Sequence, residues 1–456
     1  DVGSSTEFEW TISSDIQVDD GYRIRIYDAG VGTESFFSEI FDITGSTEFV
    51  RYYSVKNDII DGTQSNFVRN DDWRTMVQET TDGNLILLTM VRKNQNNNSY
   101  YPYLMKIDYN DGSIMWEKII NLGSGFSAIQ PNSIREARDD GGFLITGVRA
   151  SSDNDGIIIR LDASGEVLWH NFVDSPSGNS EMLYSSYLNE DDNLWVTGGT
   201  APTYDISSQD RDDLWTVTIK DDGNRQLDRR FGNGSIEHGP DQSYEYSFGM
   251  NAVYATNSNY YIGGSRYDKV ATQWKGLIYK YDWNGNLLNS IYMFNSGGDI
   301  YSVIPSLNSI MAIGSSNGNA YIQKIKKNES NLYVHQFEQS YNFDGRAIDV
   351  HGSPTSDGGA VIIDESLNSD GEDQIQIVKV DFNGSVDWET SFSSDDSSDP
   401  SPYWGNVDYD LGHFVIQMSD GNYIAVGNSH NRDLSEAYAT KIVLLKLDSG
   451  GNIVNE

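Results

Sequence analysis

Short apolar runs closed by a small residue recur along the chain, each opening on a turn. They read "DGNLILLT" (82–89), "DGGFLITG" (140–147), "DDNLWVTG" (191–198), "NSNYYIGG" (257–264), "LNSIMAIG" (307–314), "DGGAVIID" (357–364) and "DGNYIAVG" (420–427). Asp-Gly and similar pairs favour tight hairpin turns because they tolerate positive φ. The runs are rich in Ile, Val, Leu and Tyr and too short for helices. They predict strands buried on both faces.

A second phrase follows each run: a basic residue, an apolar residue, Asp, a turn Gly and often a Trp. It appears as "KIDYNDGSIMWEKI" (106–119), "RLDASGEVLWHNF" (160–172), "TIKDDGNRQLDRRF" (218–231), "KYDWNGNLLNSIYMF" (280–294), "KIKKNESNLYVHQF" (324–337), "KVDFNGSVDWETSF" (379–392) and "KLDSGGNIVNE" (446–456). The turn positions are Gly112, Gly165, Gly223, Gly285, Glu329, Gly384 and Gly451, spaced 44 to 67 residues apart. Each pair of phrases predicts one four-stranded antiparallel meander. Such a sheet cannot bury both faces alone, whereas copies packed around an axis can. Trp116, Trp169 and Trp388 stand four residues after their turn Gly and are expected to pack between neighbouring sheets. The terminal Gly of the first phrase (Gly147, Gly198, Gly264, Gly314, Gly427) is expected where strands crowd toward the axis.

The last copy stops before its fourth strand, while "EFVRYYSV" (48–55) is a strand with no turn phrase before it. A ring closed by that strand leaves no open edge. The predicted fold is therefore all-β: residues 46–456 form a seven-bladed β-propeller closed by an N-terminal strand. Residues 1–45 precede the repeats and differ from them in character.

Composition narrows the class. Among 456 residues there are 31 Lys plus Arg and 68 Asp plus Glu, a net charge of −37. This surface repels nucleic acid and anionic membranes, so neither is an expected partner. Cysteine is absent, which excludes disulfide scaffolds, Cys zinc sites and thiol catalysis. No apolar stretch approaches the length of a membrane-spanning helix. The first residue is Asp and no leader-type segment opens the sequence; either a leader has been removed or the chain is part of a longer one.

The repeat units, typified by "DGGFLITG … DGIIIRLDASGEVLWHNF", resemble propeller repeats of secreted and cell-surface proteins of Bacteroidetes and some archaea. The "DDGNRQLDRRFGNG" copy resembles the delta-60 propeller repeat. "FEWTISSDIQVDDGYRIRIYDAG" with "ESFFSEIFDITG" resembles the second half of a Kre9/Knh1-like immunoglobulin-type domain, through Trp10, Tyr22 to Ile26, Ser38, Phe41 and Ile43. These resemblances imply a partial immunoglobulin-like β segment over residues 1–45 and an extracellular or cell-surface location. They carry little about activity, since propellers host many.

Chemistry is sparsely marked. No G-x-S-x-G elbow, Walker loop or dinucleotide fingerprint occurs, and the spacing D-x-x-G-x-x-x-W departs from the sialidase Asp box. The histidines (His170, His238, His335, His351, His413, His430) form no i, i+2 or i, i+4 pair, and each is expected to be a surface or packing residue. Three aromatic-rich segments, 96–103, 241–250 and 401–413, combine rings with acids and amides in the manner of sugar sites. Their candidate ligand-binding residues are Tyr100, Tyr101, Tyr244, Tyr246, Tyr403 and Trp404. The segment "SSDNDGIIIRLD" (151–162) resembles a calcium loop, with Asp153, Asp155 and Asp162 as candidate ligands alongside Ser151, Gly156 and Ile158. It opens on Ser and ends on Asp where that loop has Asp and Glu. N-x-S sequons stand at Asn97, Asn233, Asn328 and Asn383.

The expected function is a non-enzymatic binding or structural propeller of an extracellular or surface assembly. No cofactor is required, and calcium is the one candidate ion. Partners would be surface proteins or glycans, with self-assembly through the immunoglobulin-like segment. The competing expectation is a carbohydrate-active hydrolase or lyase using carboxylates in the axial cleft.

Overall fold

A computed structural model describes residues 25–27, 34–37, 49–53, 58–60, 63–65, 67–69, 75–93, 99–123, 128–137, 140–150, 154–173, 180–188, 194–201, 213–219, 225–231, 244–255, 259–268, 273–282, 286–293, 298–307, 309–316, 319–327, 333–343, 350–367, 373–393, 410–430 and 440–454. The chain forms two compact units, 1–49 with 453–456, and 50–452. In the first, Arg25–Tyr27 pairs antiparallel with Glu34–Phe37, and the Phe49 N–H donates to Val454 O at 2.6 Å. Trp10, Tyr22, Ser38, Phe41 and Ile43, which carry the immunoglobulin-type resemblance, lie outside the described residues.

The second unit is a β-propeller, and no helix occurs among its described residues. Six of its sheets have four antiparallel strands in simple meander order. Five of these span 129–173, 180–231, 244–293, 299–341 and 351–392. The sixth, the closing sheet, holds Asp410–Gln417, Tyr423–His430 and Thr440–Leu447, and its outermost strand is Val50–Tyr53 from the other end of the chain. The expected closure by the N-terminal strand is thus present: Val50 pairs with Leu445 and Tyr53 with Ile442.

A further sheet of five strands is made of Phe67–Arg69, Met76–Glu79, Leu85–Lys93, Tyr100–Ile107 and Ile114–Ile119. Phe67–Arg69 and Met76–Glu79 pair with successive stretches of the one strand Leu85–Lys93. Its inner edge is therefore a strand in two pieces. This sheet also meets the closing sheet: Ser419 N donates to Glu79 Oε2 at 2.9 Å, and Tyr109 Oη donates to Asp420 Oδ2 at 2.6 Å.

The core lies between sheets. One apolar cluster joins Ile86, Leu88 and Leu104 of the five-stranded sheet to Ile134, Phe143 and Ile159 of the next. Equivalent clusters join 129–173 to 180–231, 244–293 to 299–341, 299–341 to 351–392, and 351–392 to the closing sheet. Burial of one such side chain stabilises the fold by about 1.5–3 kcal/mol.

The two repeated phrases are chemically linked. The basic residue of the second phrase is buried and reaches the turn Asp of the first: Lys106 to Asp82 at 2.7 Å, Arg160 to Asp140 at 2.8 Å, and Lys379 to Asp357 at 2.7 Å. This explains the cation in the repeat, which hydrophobic periodicity does not require. Neighbouring sheets also cap each other's turns. The Glu136 carboxylate accepts from Thr81 N at 2.7 Å, as Glu79 does from Ser419.

Candidate functional site in the axial cavity

The first strand of each meander is innermost, and these strands run side by side around the axis. They surround a cavity of about 520 Å³ lined from 76–79, 132–135, 184–187, 301–305, 350–354 and 413–417. Strand direction assigns the two faces of the propeller. Among the described residues, the hydrogen-bonded turns at Gly83, Gly141, Gly358 and Gly421 join first to second strands, and those at Gly112, Gly165, Gly384 and Gly451 follow third strands, so these turns pave one face. The longer connections join strand ends at the opposite face, where the inner strands begin.

Near that mouth four of the inner strands share one irregularity. Register shifts between Pro131 and Ser133, Leu183 and Ser185, Ile300 and Ser302, and Gly412 and Phe414 each leave one extra residue. A β-bulge of this kind re-aims a side chain. The extra residues are Asn132, Tyr184, Tyr301 and His413, and all of them line the cavity. The residue paired just before each bulge is the terminal Gly of the first phrase: Gly147, Gly198, Gly314 and Gly427. A Cβ on Gly147 would stand 2.0 Å from Gln130 O, on Gly314 1.8 Å from Asp299 O, and on Gly427 2.0 Å from Leu411 O. These glycines therefore seat the bulges. Two copies carry Thr89 and Asp364 at this position. In the first the inner strand is broken, and in the second it has only the four residues His351–Pro354.

Further wall residues come from the levels beneath. The His351 ring stacks on Phe414 at 3.4 Å between centroids, and its Nδ1 accepts from Val415 N at 3.3 Å. His413 Nδ1 accepts from Thr75 N at 3.1 Å. An Nδ1 that accepts carries no proton, so a neutral ring in this arrangement holds its proton on Nε2. Asn132 Nδ2 donates to Leu183 O at 2.7 Å. Arg135 donates from Nε to Ser186 O at 2.9 Å and from Nη1 to Ile134 O at 2.8 Å. Burial pushes its guanidinium from the ordinary 12.5 down to about 10, still a cation at neutral pH. Glu79 is the carboxylate of the described cavity wall, and Ser419 engages it through both N and Oγ.

The residues singled out from sequence are distributed differently. Tyr100 opens a third strand with the Arg92 guanidinium 5.1 Å from its ring centroid, away from the cavity wall. Tyr101, the next residue of the same strand, is 6% exposed and is not among the residues that line the cavity. Tyr244 and Tyr246 lie in the strand Tyr244–Ala255, but their side chains are outside the described residues, as are Tyr403 and Trp404.

The candidate calcium residues Asp155 and Asp162 stand at opposite ends of one strand. Asp155 begins the strand Asp155–Leu161 and pairs with Arg149, whereas Asp162 follows that strand and binds the Ser164 and Glu166 amides of the next turn. An extended segment of that length holds them about 23 Å apart, too far to share one ion. Asp153 lies outside the described residues, among which no cluster fit to hold a metal ion occurs. Asn383 is exposed at a turn tip and its N–H donates to Asp381 Oδ1 at 2.7 Å. Asn97, Asn233 and Asn328 are outside the described residues.

His351 and His413 were expected to be surface or packing residues, yet both line the cavity. The sequence signal that could have found the bulged residues is the terminal Gly of the first phrase, read as a bulge seat.

No family model matches the chain, and no curated protein matches it. Several solved structures resemble it at the level of fold. A structure of U3-55K aligns at 11% identity and TM-score 0.48, covering 83% of this chain and 97% of that one. The periplasmic gluconolactonase PpgL of Pseudomonas aeruginosa aligns at 9% identity and TM-score 0.44, covering 82% and 94%. The NanB sialidase of Streptococcus pneumoniae aligns at 9% identity and TM-score 0.42, covering 86% and 70%.

Proposed function

We propose that the protein is a non-enzymatic recognition propeller of an extracellular or cell-surface assembly, and that it takes its ligand at the mouth of the axial cavity. The observation that carries this reading is the convergence of Asn132, Tyr184, Tyr301 and His413, each displaced by its own bulge, on one cavity. Bulges interrupt a ladder, and four of them at one level serve a surface rather than the sheets. In this reading the five-stranded sheet counts as a seventh blade with a split inner strand.

The aromatic-rich segments support the same mouth. Residues 96–103 lead from a second into a third strand, while 241–250 and 401–413 lead into inner strands. The strands that these segments lead into open at the end where the bulges lie, which supports the reading that Tyr100, Tyr244, Tyr246, Tyr403 and Trp404 would extend the recognition surface. A rigid ring presents variable connections well. Surface proteins and glycans are the proposed partner classes, and the 1–45 segment is proposed to join subunits by strand complementation.

The test is a glycan and polysaccharide panel. It is assayed on the full chain for binding and for released reducing ends, with and without calcium. Binding without release, weakened at least tenfold by Tyr301→Ala or His413→Ala, is the expected result. Release of reducing ends would replace this reading with a carbohydrate-active hydrolase or lyase.

A further inference from the structure

Arg135 differs from the basic residues of the repeated phrase in what it binds. Lys106, Arg160 and Lys379 each hold a carboxylate within 2.9 Å. Arg135 is held by two main-chain carbonyls instead, Ser186 O and Ile134 O. Those bonds use two of its five N–H groups and fix the plane of the guanidinium. Among the described residues no carboxylate stands beside it, and the one titratable group coupled to it is the Tyr187 phenol. Glu79, in the same cavity wall, is engaged with Ser419. A cation without a counter-ion in a partly desolvated wall is costly, and a bound anion offsets that cost. In a chain with 68 acidic residues, the placement of this arginine away from all of them within its described surroundings points to a ligand.

Charge and shape narrow the class. One arginine balances one negative charge, and its fork geometry matches a carboxylate. A dianionic phosphate would leave a charge uncompensated in the same wall. Arg135 lies three residues beyond the bulged Asn132, about 10 Å down an extended strand from the mouth. The space between carries the Tyr184, Tyr187 and Tyr301 rings with Ser133, Ser185 and Ser302. Rings and hydroxyls together suit a polyhydroxylated body. We infer that the axial cavity takes a small sugar acid, its carboxylate seated on the remaining N–H groups of Arg135 and its body against the tyrosines. This rests on the reading of the axial cavity as the recognition site.

The experiment titrates the full chain with D-glucuronate and with its uncharged methyl ester by calorimetry. The expected result is at least tenfold tighter binding of the acid, with Arg135→Gln abolishing that preference and Arg135→Lys keeping part of it. The preference of the unsubstituted chain is the primary readout, so a variant that misfolds does not remove the test. Ser185→Trp, which fills the cavity, is expected to abolish binding of both. Equal binding of acid and ester, lost in Ser185→Trp, overturns the carboxylate inference but leaves the cavity as the site. Binding that survives both Ser185→Trp and Arg135→Gln overturns both. Binding of neither compound by the unsubstituted chain overturns the sugar-acid assignment.

Discussion

The indole of Trp388 occupies the space that a side chain on Gly451 would need. A Cβ built on Gly451 stands 2.4 Å from Trp388 Cδ2, and the residue has φ +83°. Trp388 belongs to one sheet and Gly451 to the turn of the next. Trp116 repeats the relation, with a Cβ on Gly165 falling 3.1 Å from its ring and φ at +81°. Main-chain contacts reinforce the same joint: Tyr53 Oη and Tyr341 Oη donate to the carbonyls of Gly112 and Gly384, each at 2.8 Å, and Thr390 Oγ1 donates to that of Gly451. The repeated phrase therefore encodes a joint between sheets as well as a turn.

Two glycine substitutions separate the causes. Gly421 has φ +92°, and a methyl added to it would meet nothing within 4 Å, so Gly421→Ala confronts only the left-handed backbone. It is expected to cost about 1–2 kcal/mol. Gly451→Ala meets the same penalty plus the indole, a further loss of about 1–3 kcal/mol. Trp388→Ala should remove that extra loss in a double-mutant cycle measured by urea unfolding.

The buried cation of the 351–392 sheet gives a pH signature. Burial alone would raise the Asp357 carboxyl, but hydrogen bonds from Lys379, Thr355 and the Gly359 amide outweigh it and hold the group below the usual carboxylate range. A depressed carboxyl contributes stability that is complete above its unfolded value, about 3.9. That contribution is lost as the pH falls through the folded value. Lys379 also reaches Asp387 at 2.9 Å. Lys379→Met is expected to cost about 1–3 kcal/mol at neutral pH and to flatten the loss of stability below pH about 4. Unfolding midpoints at neutral pH and across the acid range check both.

Ring closure depends on Val50–Tyr53. A chain starting at residue 56 lacks this strand and leaves the Thr440–Leu447 edge unpaired. Exposed edges template association. The shortened chain is expected to unfold at lower temperature and to self-associate, read by calorimetry and size-exclusion chromatography. An unchanged melting temperature and a monomeric profile would show that closure is dispensable.

The bulge seats connect stability to the site. Gly427→Ala drives a Cβ into Leu411 O and must displace the bulge that aims His413. A loss of about 2 kcal/mol or more is expected, together with weakened ligand binding. The Gly421→Ala protein serves as control, since it should lose stability and keep binding.

Legibility follows the range of each interaction. The turns at Gly112, Gly165, Gly384 and Gly451 were readable because a tight turn is decided by two or three adjacent residues. The strands beside them were readable from a five-residue pattern. The partner of each Trp was expected to be a neighbouring sheet, and so it is. The carboxylates chosen for calcium were picked by spacing, which presumes a loop, whereas a strand separates Asp155 from Asp162. Tyr101 was chosen from an aromatic-rich segment, and such a segment does not reveal which face of a strand meets the next sheet.

The sequence by itself determined the repeating unit, its all-β character and the closing role of the N-terminal strand, since these rest on local turns, short apolar runs and one unmatched strand at each end. Only the tertiary structure decided what faces the axis. Asn132, Tyr184, Tyr301 and His413 come from different sheets and share no motif. They meet because a bulge at one level is repeated around a ring, and the described residues around Arg135, which include no carboxylate beside it, come from neighbours far away in the chain. Side chains brought together by rotation about an axis leave no pattern along the sequence, apart from the glycines that make room for the bulges.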